Sequence, residues 1–117
     1  MRRLLFNPLA QQPYASGELD KIKGQFVLDK ALEKGHIYIA RVFNTDAEEV
    51  STTILDLPAT KYTYTMAPII VSDMNGNSTL YVLSSSNDTP SCVDFVTAEG
   101  SPYPTNNSFA IYLYKLF

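Results

Sequence analysis

The sequence predicts an all-β, mostly antiparallel domain: a β-sandwich or barrel of about seven strands, jelly-roll-like, with an extended N-terminal arm and one short helical turn. Three observations lead there. The 117 residues include eight Tyr, many Ser and Thr, and only 18% charged residues, a composition suited to pleated surfaces more than to a helical bundle. Apolar alternation with a period of two recurs from residue 36 onward, punctuated by turn residues. Between two β-rich runs stands Asn75-Gly76, a pair that accepts the positive φ angles of a hairpin turn. With 45% hydrophobic residues the chain can hide about two-thirds of its unfolded surface, enough for one core in one domain.

Residues 1–24 read as the arm and residues 25–117 as a single β domain. Pro8, Pro13, Gln11-Gln12 and Ser16-Gly17 interrupt every period in the first segment. Gln25 to Leu28 is a short strand. Asp29 is placed to cap a helical turn through Lys34, with Gly35 as its left-handed terminator. His36 to Phe43 is apolar on both faces apart from Arg41, as a central or interface-facing strand is. Asn44 to Glu49 is a polar loop, and Val50 to Leu57 a half-buried strand ending at Pro58. Lys61 to Ala67 alternates most cleanly, with Tyr62, Tyr64 and Met66 on one face. Ile69 to Asp73 and Thr79 to Leu83 flank the Asn75-Gly76 hairpin. Ser84 to Pro90 is a loop, Cys92 to Thr97 a strand, Ala98 to Asn107 a long loop, and Phe109 to Phe117 a closing apolar strand.

Catalytic chemistry has little to work with. His36 is the only histidine and Cys92 the only cysteine, so no intrachain disulfide and no His₂ metal site can form. No Gly-x-Ser-x-Gly elbow exists for His36 to serve, and its place at a strand start suits a structural role. Cys92 has no cationic neighbour in sequence and reads as a small apolar residue. Asp73 to Asn77 has its glycine at the fourth position and Ser84 at the twelfth, so it fits a hairpin turn and not a calcium loop. Asp46, Glu48 and Glu49 read as a solvated loop. No phosphate loop or dinucleotide fingerprint is present among the five glycines. No enzyme activity, cofactor or metal is therefore expected.

Charge is unevenly spread. Residues 1–41 hold seven basic and four acidic side chains, against two basic and eight acidic in residues 42–117. An acidic β region speaks against nucleic-acid binding, and no apolar run approaches a membrane span. Arg2-Arg3 followed by Leu4, Leu5 and Phe6 begins like a secretory leader, but Asn7, Pro8 and Pro13 break it, so cytoplasmic synthesis without a signal peptide is expected. The arm is basic and apolar, and Arg2, Arg3, Leu4, Leu5, Phe6 and Leu9 are its expected partner-binding residues. These features suggest a non-enzymatic assembly subunit, such as a capsid decoration, fibre-head or tail-adaptor protein of a virion (a phage component). It would bind itself, as a trimer or other closed homo-oligomer, or another protein through the arm. The alternative is a carbohydrate- or receptor-binding module that meets a surface glycan through Tyr62, Tyr64 and Tyr103.

Overall fold

The computed structural model describes residues 12–44, 49–61, 63–72, 78–97 and 108–116. Eight strands follow one another: β1 (Ala15–Asp20), β2 (Gln25–Leu28), β3 (His36–Phe43), β4 (Glu49–Leu57), β5 (Tyr64–Ser72), β6 (Ser78–Ser86), β7 (Cys92–Thr97) and β8 (Ala110–Lys115). They form one antiparallel sheet in the order β4-β3-β8-β1-β2-β7-β6-β5. The two end strands, β4 and β5, lie against each other without a hydrogen-bonded ladder, so the sheet is a nearly closed barrel. No helix occurs among the described residues, and none is long and apolar enough to cross a membrane.

Alternation places the core residues of the strands, while Leu32 and Phe109 join the core from connections. Tyr38, Ala40 and Val42 point inward from β3, and Ile111 and Leu113 from β8. Ala67, Ile69 and Val71 do so from β5, opposite Leu83, Tyr81 and Thr79 of β6. Phe95 of β7 is fully buried, with its ring centroid 5.3 Å from those of Phe26 and Tyr81 and 5.7 Å from that of Phe109. Alternate large and small side chains fill such an interior without leaving a channel.

Three expectations need correction. The arm does not extend to residue 24: Ala15–Asp20 is a central strand, paired with β8 on one side and β2 on the other. Gly17 is what allows it, because a Cβ there would fall on the Val27 carbonyl of β2. The helical turn after Asp29 is absent. Asp29 Oδ1 accepts from the Ser16 N–H, tying the segment to β1 in place of capping a helix. Gly35 does take a positive φ of 84°, at a turn that brings its N–H to the Leu57 carbonyl. Finally, β6 continues through Ser84, Ser85 and Ser86, where the sequence predicts a loop, because all three pair with β5.

The Lys61-to-Ala67 strand begins at Tyr64 and runs through Pro68 to Ser72. Proline is tolerated because β5 is laddered on one side only. The hairpin joining β5 to β6 is present as a ladder from Tyr64↔Ser86 to Ser72↔Ser78. Its Asn75-Gly76 tip, the Asp46 to Glu48 part of the acidic loop and the long loop at 98–107 lie outside the described residues.

Candidate functional site

One end of the barrel is locked by a polar and aromatic cluster. Leu32, 5% exposed, closes the core there, and its N–H reaches the Pro90 carbonyl. Tyr14 donates its hydroxyl to the Ala31 carbonyl at 2.7 Å, and both Lys30 Nζ and Lys115 Nζ lie 4.4 Å from its ring centroid. Lys115 Nζ also donates to Glu33 at 2.8 Å, and this hydrogen bond holds the Glu33 carboxyl below the usual range. Burial pushes the Tyr38 phenol up to about 12, while its oxygen accepts from the Glu33 N–H. His36 Nε2 stands 3.6 Å from Glu33 and edge-on to Tyr38. Each member is engaged with another protein group, so the cluster fastens the chain.

On the outer side, Arg41 makes two bonds to the Glu49 carboxylate, Nη2 to Oε1 at 2.7 Å and Nε to Oε2 at 3.1 Å. The same guanidinium stacks 5.0 Å from the Phe43 ring centroid, and Thr52 donates its hydroxyl to Glu49. The Arg41 bond is the main reason the Glu49 carboxyl titrates below its ordinary value of 4.5. A carboxyl with a lowered folded pKa contributes stability above its unfolded pKa, and that contribution disappears as pH falls through the folded value. Glu49→Gln is therefore expected to cost ~0.5–1 kcal/mol near neutral pH and nothing in strong acid. Urea titrations of wild type and variant at about pH 7 and at successively lower pH check this: the curves separate at the first and converge as the pH falls.

A shallow groove of about 480 Å³ crosses the outer face of β8, β1 and β2. Ser16, Gly17 and Ala110 leave its floor low, while Tyr112, Val27, Glu18 and Asp29 stand around it. Tyr112 packs its ring on Phe43, at 5.3 Å between centroids.

A row of exposed apolar side chains lies elsewhere, on β5 and β6. Tyr64, Met66 and Ile70 point outward from β5 and are 58–60% exposed, and Pro68 between them is exposed as well. Across the ladder, Leu80 faces Ile70, Val82 faces Pro68, and Ser84 faces Met66. Val96 of β7 extends the patch beside Val82. Ile54, 57% exposed, points outward from β4 on the far side of the seam. From Tyr64 to Ile70 on β5 and from Leu80 to Ser86 on β6, the outward side chains carry no charge.

Of the residues singled out in the sequence, only Tyr64 falls on this face within the described residues. Tyr62 and Tyr103 lie outside them, as do Arg2, Arg3, Leu4, Leu5, Phe6 and Leu9. Tyr38, Tyr81 and Tyr114 are buried, and the half-exposed Tyr112 sits on β8, strands away from Tyr64. Ile70 and Leu80 were missed because the hairpin strands looked uniformly apolar, and their outward phase appears only from the ladder. Among the described residues no three His, Cys, Asp or Glu side chains are gathered as a metal site, and Cys92 is a partly buried free thiol. No family model, curated protein or solved structure matches the chain.

Proposed function

We propose that this chain is a non-enzymatic structural subunit that assembles with copies of itself, as virion parts such as capsid decorations, fibre heads and tail adaptors do. The observation that carries the proposal is the uncharged outer face of β5 and β6. Four large apolar side chains there, Tyr64, Met66, Ile70 and Leu80, are 48–60% exposed. Together they offer several hundred Å², the upper end of what a monomer leaves open and about half of one side of a standard interface. Apolar surface of that extent is stabilised by leaving water, at roughly 25 cal/mol per Å².

Charge favours a second copy as the partner. The chain carries a net charge of −3, so most ways of bringing two copies together set like charges against each other. A symmetric contact places a patch on itself, and an uncharged patch meets no such penalty. Pro68 supports a contact by face and not by edge. It has no N–H to give, so the open side of β5 is a poor template for another strand.

The experiment is sedimentation equilibrium on the wild type and on Ile70→Lys. The wild type is expected to associate in the micromolar range or tighter. Lysine at position 70 puts a charge on each partner within the patch, beside Leu80. The expected outcome is at least ~100-fold weaker association, about 2.7 kcal/mol, with an unchanged melting temperature. A wild type that stays monomeric at ~100 μM, where a contact of this class is expected to be populated, would overturn the proposal.

A further inference from the structure

We infer that the turn between β1 and β2 of one copy docks in the outer groove of a second copy. Ile22 seats against Val27 and Tyr112 there, and its flanking lysines lie beside Glu18 and Asp29. Both surfaces are separate from the β5–β6 face, and the inference does not depend on that contact.

The turn is the first ground. Asp20 fixes it: Oδ1 accepts from the Ile22 and Lys23 N–H groups at 3.1 and 3.2 Å, and the Asp20 carbonyl accepts from the Gly24 N–H at 2.8 Å. Gly24 supplies the positive φ of 70° that closes the turn, and its carbonyl accepts from the Phe95 N–H of β7. On this fixed backbone Ile22 is 91% exposed, the highest value for a large apolar side chain among the described residues. Tight turns ordinarily carry Gly, Asn, Asp, Ser or Pro, so local structure gives no reason for isoleucine there. A branched side chain on a rigid turn gives up little freedom when it docks.

The groove is the second. Ser16 lies opposite Tyr112, and Glu18 lies between Ala110 on one side and Val27 on the other. Small side chains at Ser16 and Ala110 thus leave a trough beside two exposed apolar ones, Val27 and Tyr112, and Phe43 backs the tyrosine ring. Turn and groove belong to the same hairpin, one at its end and the other on its outer flank. The bonds at Asp20 keep the turn from folding back over Glu18, two residues away, so the occupant is another copy.

Charge and spacing are the third. Lys21 and Lys23 are exposed, as are Glu18 and Asp29, and neither carboxylate makes an ion pair among the described residues. Asp29 gives Oδ1 to the Ser16 N–H and keeps Oδ2. Of the cations near the groove, Arg41 is held by Glu49 and Lys30 lies over the Tyr14 ring. Val27 is in register with Glu18, and Asp29 lies two residues beyond it, which makes the carboxylates diagonal neighbours about 7–8 Å apart between Cα atoms. Two residues flanking a third stand up to about 7 Å apart, so the lysines match that spacing. With a net charge of −3 most approaches of two copies are repulsive, whereas this one sets two lysines against two carboxylates. Three side chains cover far less than the ~800 Å² per partner of a standard interface, so the contact is weak alone and gains strength beside a second one.

Carbodiimide joins an amine to a carboxylate only where the two touch, and it tests the contact on full-length Ile70→Lys protein, which removes the β5–β6 association. Equal amounts of unlabelled and isotope-labelled chains are mixed at ~1 mM, where a contact this small is populated. Mass spectrometry is expected to find Lys21 or Lys23 joined to Glu18 or Asp29 in mixed-isotope pairs, which only two different chains can give. Ile22→Asp and Glu18→Lys should each lower that yield several-fold with an unchanged melting temperature, since both side chains are exposed. Mixing those two variants should restore it in one direction, from the lysines of the Glu18→Lys copy to the carboxylates of the Ile22→Asp copy. Absence of mixed-isotope pairs, a yield that neither variant changes, or no recovery in the mixture would overturn the inference. Uncoupled turns together with Ile22-dependent binding to phosphatidylserine vesicles would overturn it in favour of a lipid surface.

Discussion

Phe95→Ala is expected to lower the stability of the domain by ~3–5 kcal/mol, the range for removing a buried aromatic ring from a packed core. Phe95 is fully buried and is the ring around which Phe26, Tyr81 and Phe109 gather. Its neighbours come from three different parts of the chain, and each is held by its own strand or connection. They cannot all move inward to fill the space, so a cavity remains and adds to the lost transfer energy. A domain of this size has about 5–15 kcal/mol to lose, so the variant sits near the edge of folding at room temperature. Urea unfolding measures it directly: the midpoint falls and the slope stays unchanged if the denatured state is the same. A loss below ~1 kcal/mol would mean that the aromatic cluster is not the centre of the core.

Gly17→Ala is expected to cost about 3 kcal/mol or more, although it adds a single methyl group. The added Cβ meets the Val27 carbonyl, which is backbone and has no rotamer to escape into. Nor can β1 shift aside. Its Glu18, Gly17 and Ser16 are in register with Ala110, Ile111 and Tyr112 of β8, and β2 holds its other edge. Gly35→Ala provides the contrast. There the strain is a φ of 84°, and the new Cβ stands 3.3 Å from the Ala59 side chain, so a smaller loss of ~1 kcal/mol is expected. Thermal melts of the two variants side by side should rank them in that order.

The difference between these glycines reflects what can be read from a sequence. Gly35 was legible as a left-handed position, although the helical turn it was expected to terminate is absent and its positive φ serves the turn into β3. Gly17 was not, because its constraint comes from β2 across the sheet. Ala15-Ser16-Gly17-Glu18-Leu19-Asp20 does alternate, but two of its three inward positions hold small residues, so the apolar signal is faint. Treating the segment as arm omitted β1, a loss masked in the strand count because β5 was read as two strands. By contrast β2, β3 and β7 begin and end where the pattern placed them, since each carries large apolar residues at inward positions.

The outer surface was only partly legible. Both-faced apolarity in β3 and β8 pointed to surface that one core cannot hide, and Ile39 and Tyr114 now sit on the outward side. Tyr64 and Met66 were assigned to a common face, which is the outward one. Their continuation into Ile70 and Leu80 depends on a single strand crossing Pro68 and on the ladder with β6. A proline in mid-pattern ordinarily marks a break, so the sequence divided what the sheet joins.

Assembly through the β5–β6 face is tested most directly at Met66, whose side chain is 59% exposed in the single chain. Peroxide converts an accessible thioether to the sulfoxide, and the rate follows exposure. Oxidation of Met66, followed by mass spectrometry of the peptide that contains it, should be fast in dilute protein. It should slow several-fold at concentrations where sedimentation shows association, and stay fast in Ile70→Lys. A rate at Met66 that does not change while the particle mass rises would place the contact on another surface and contradict the account.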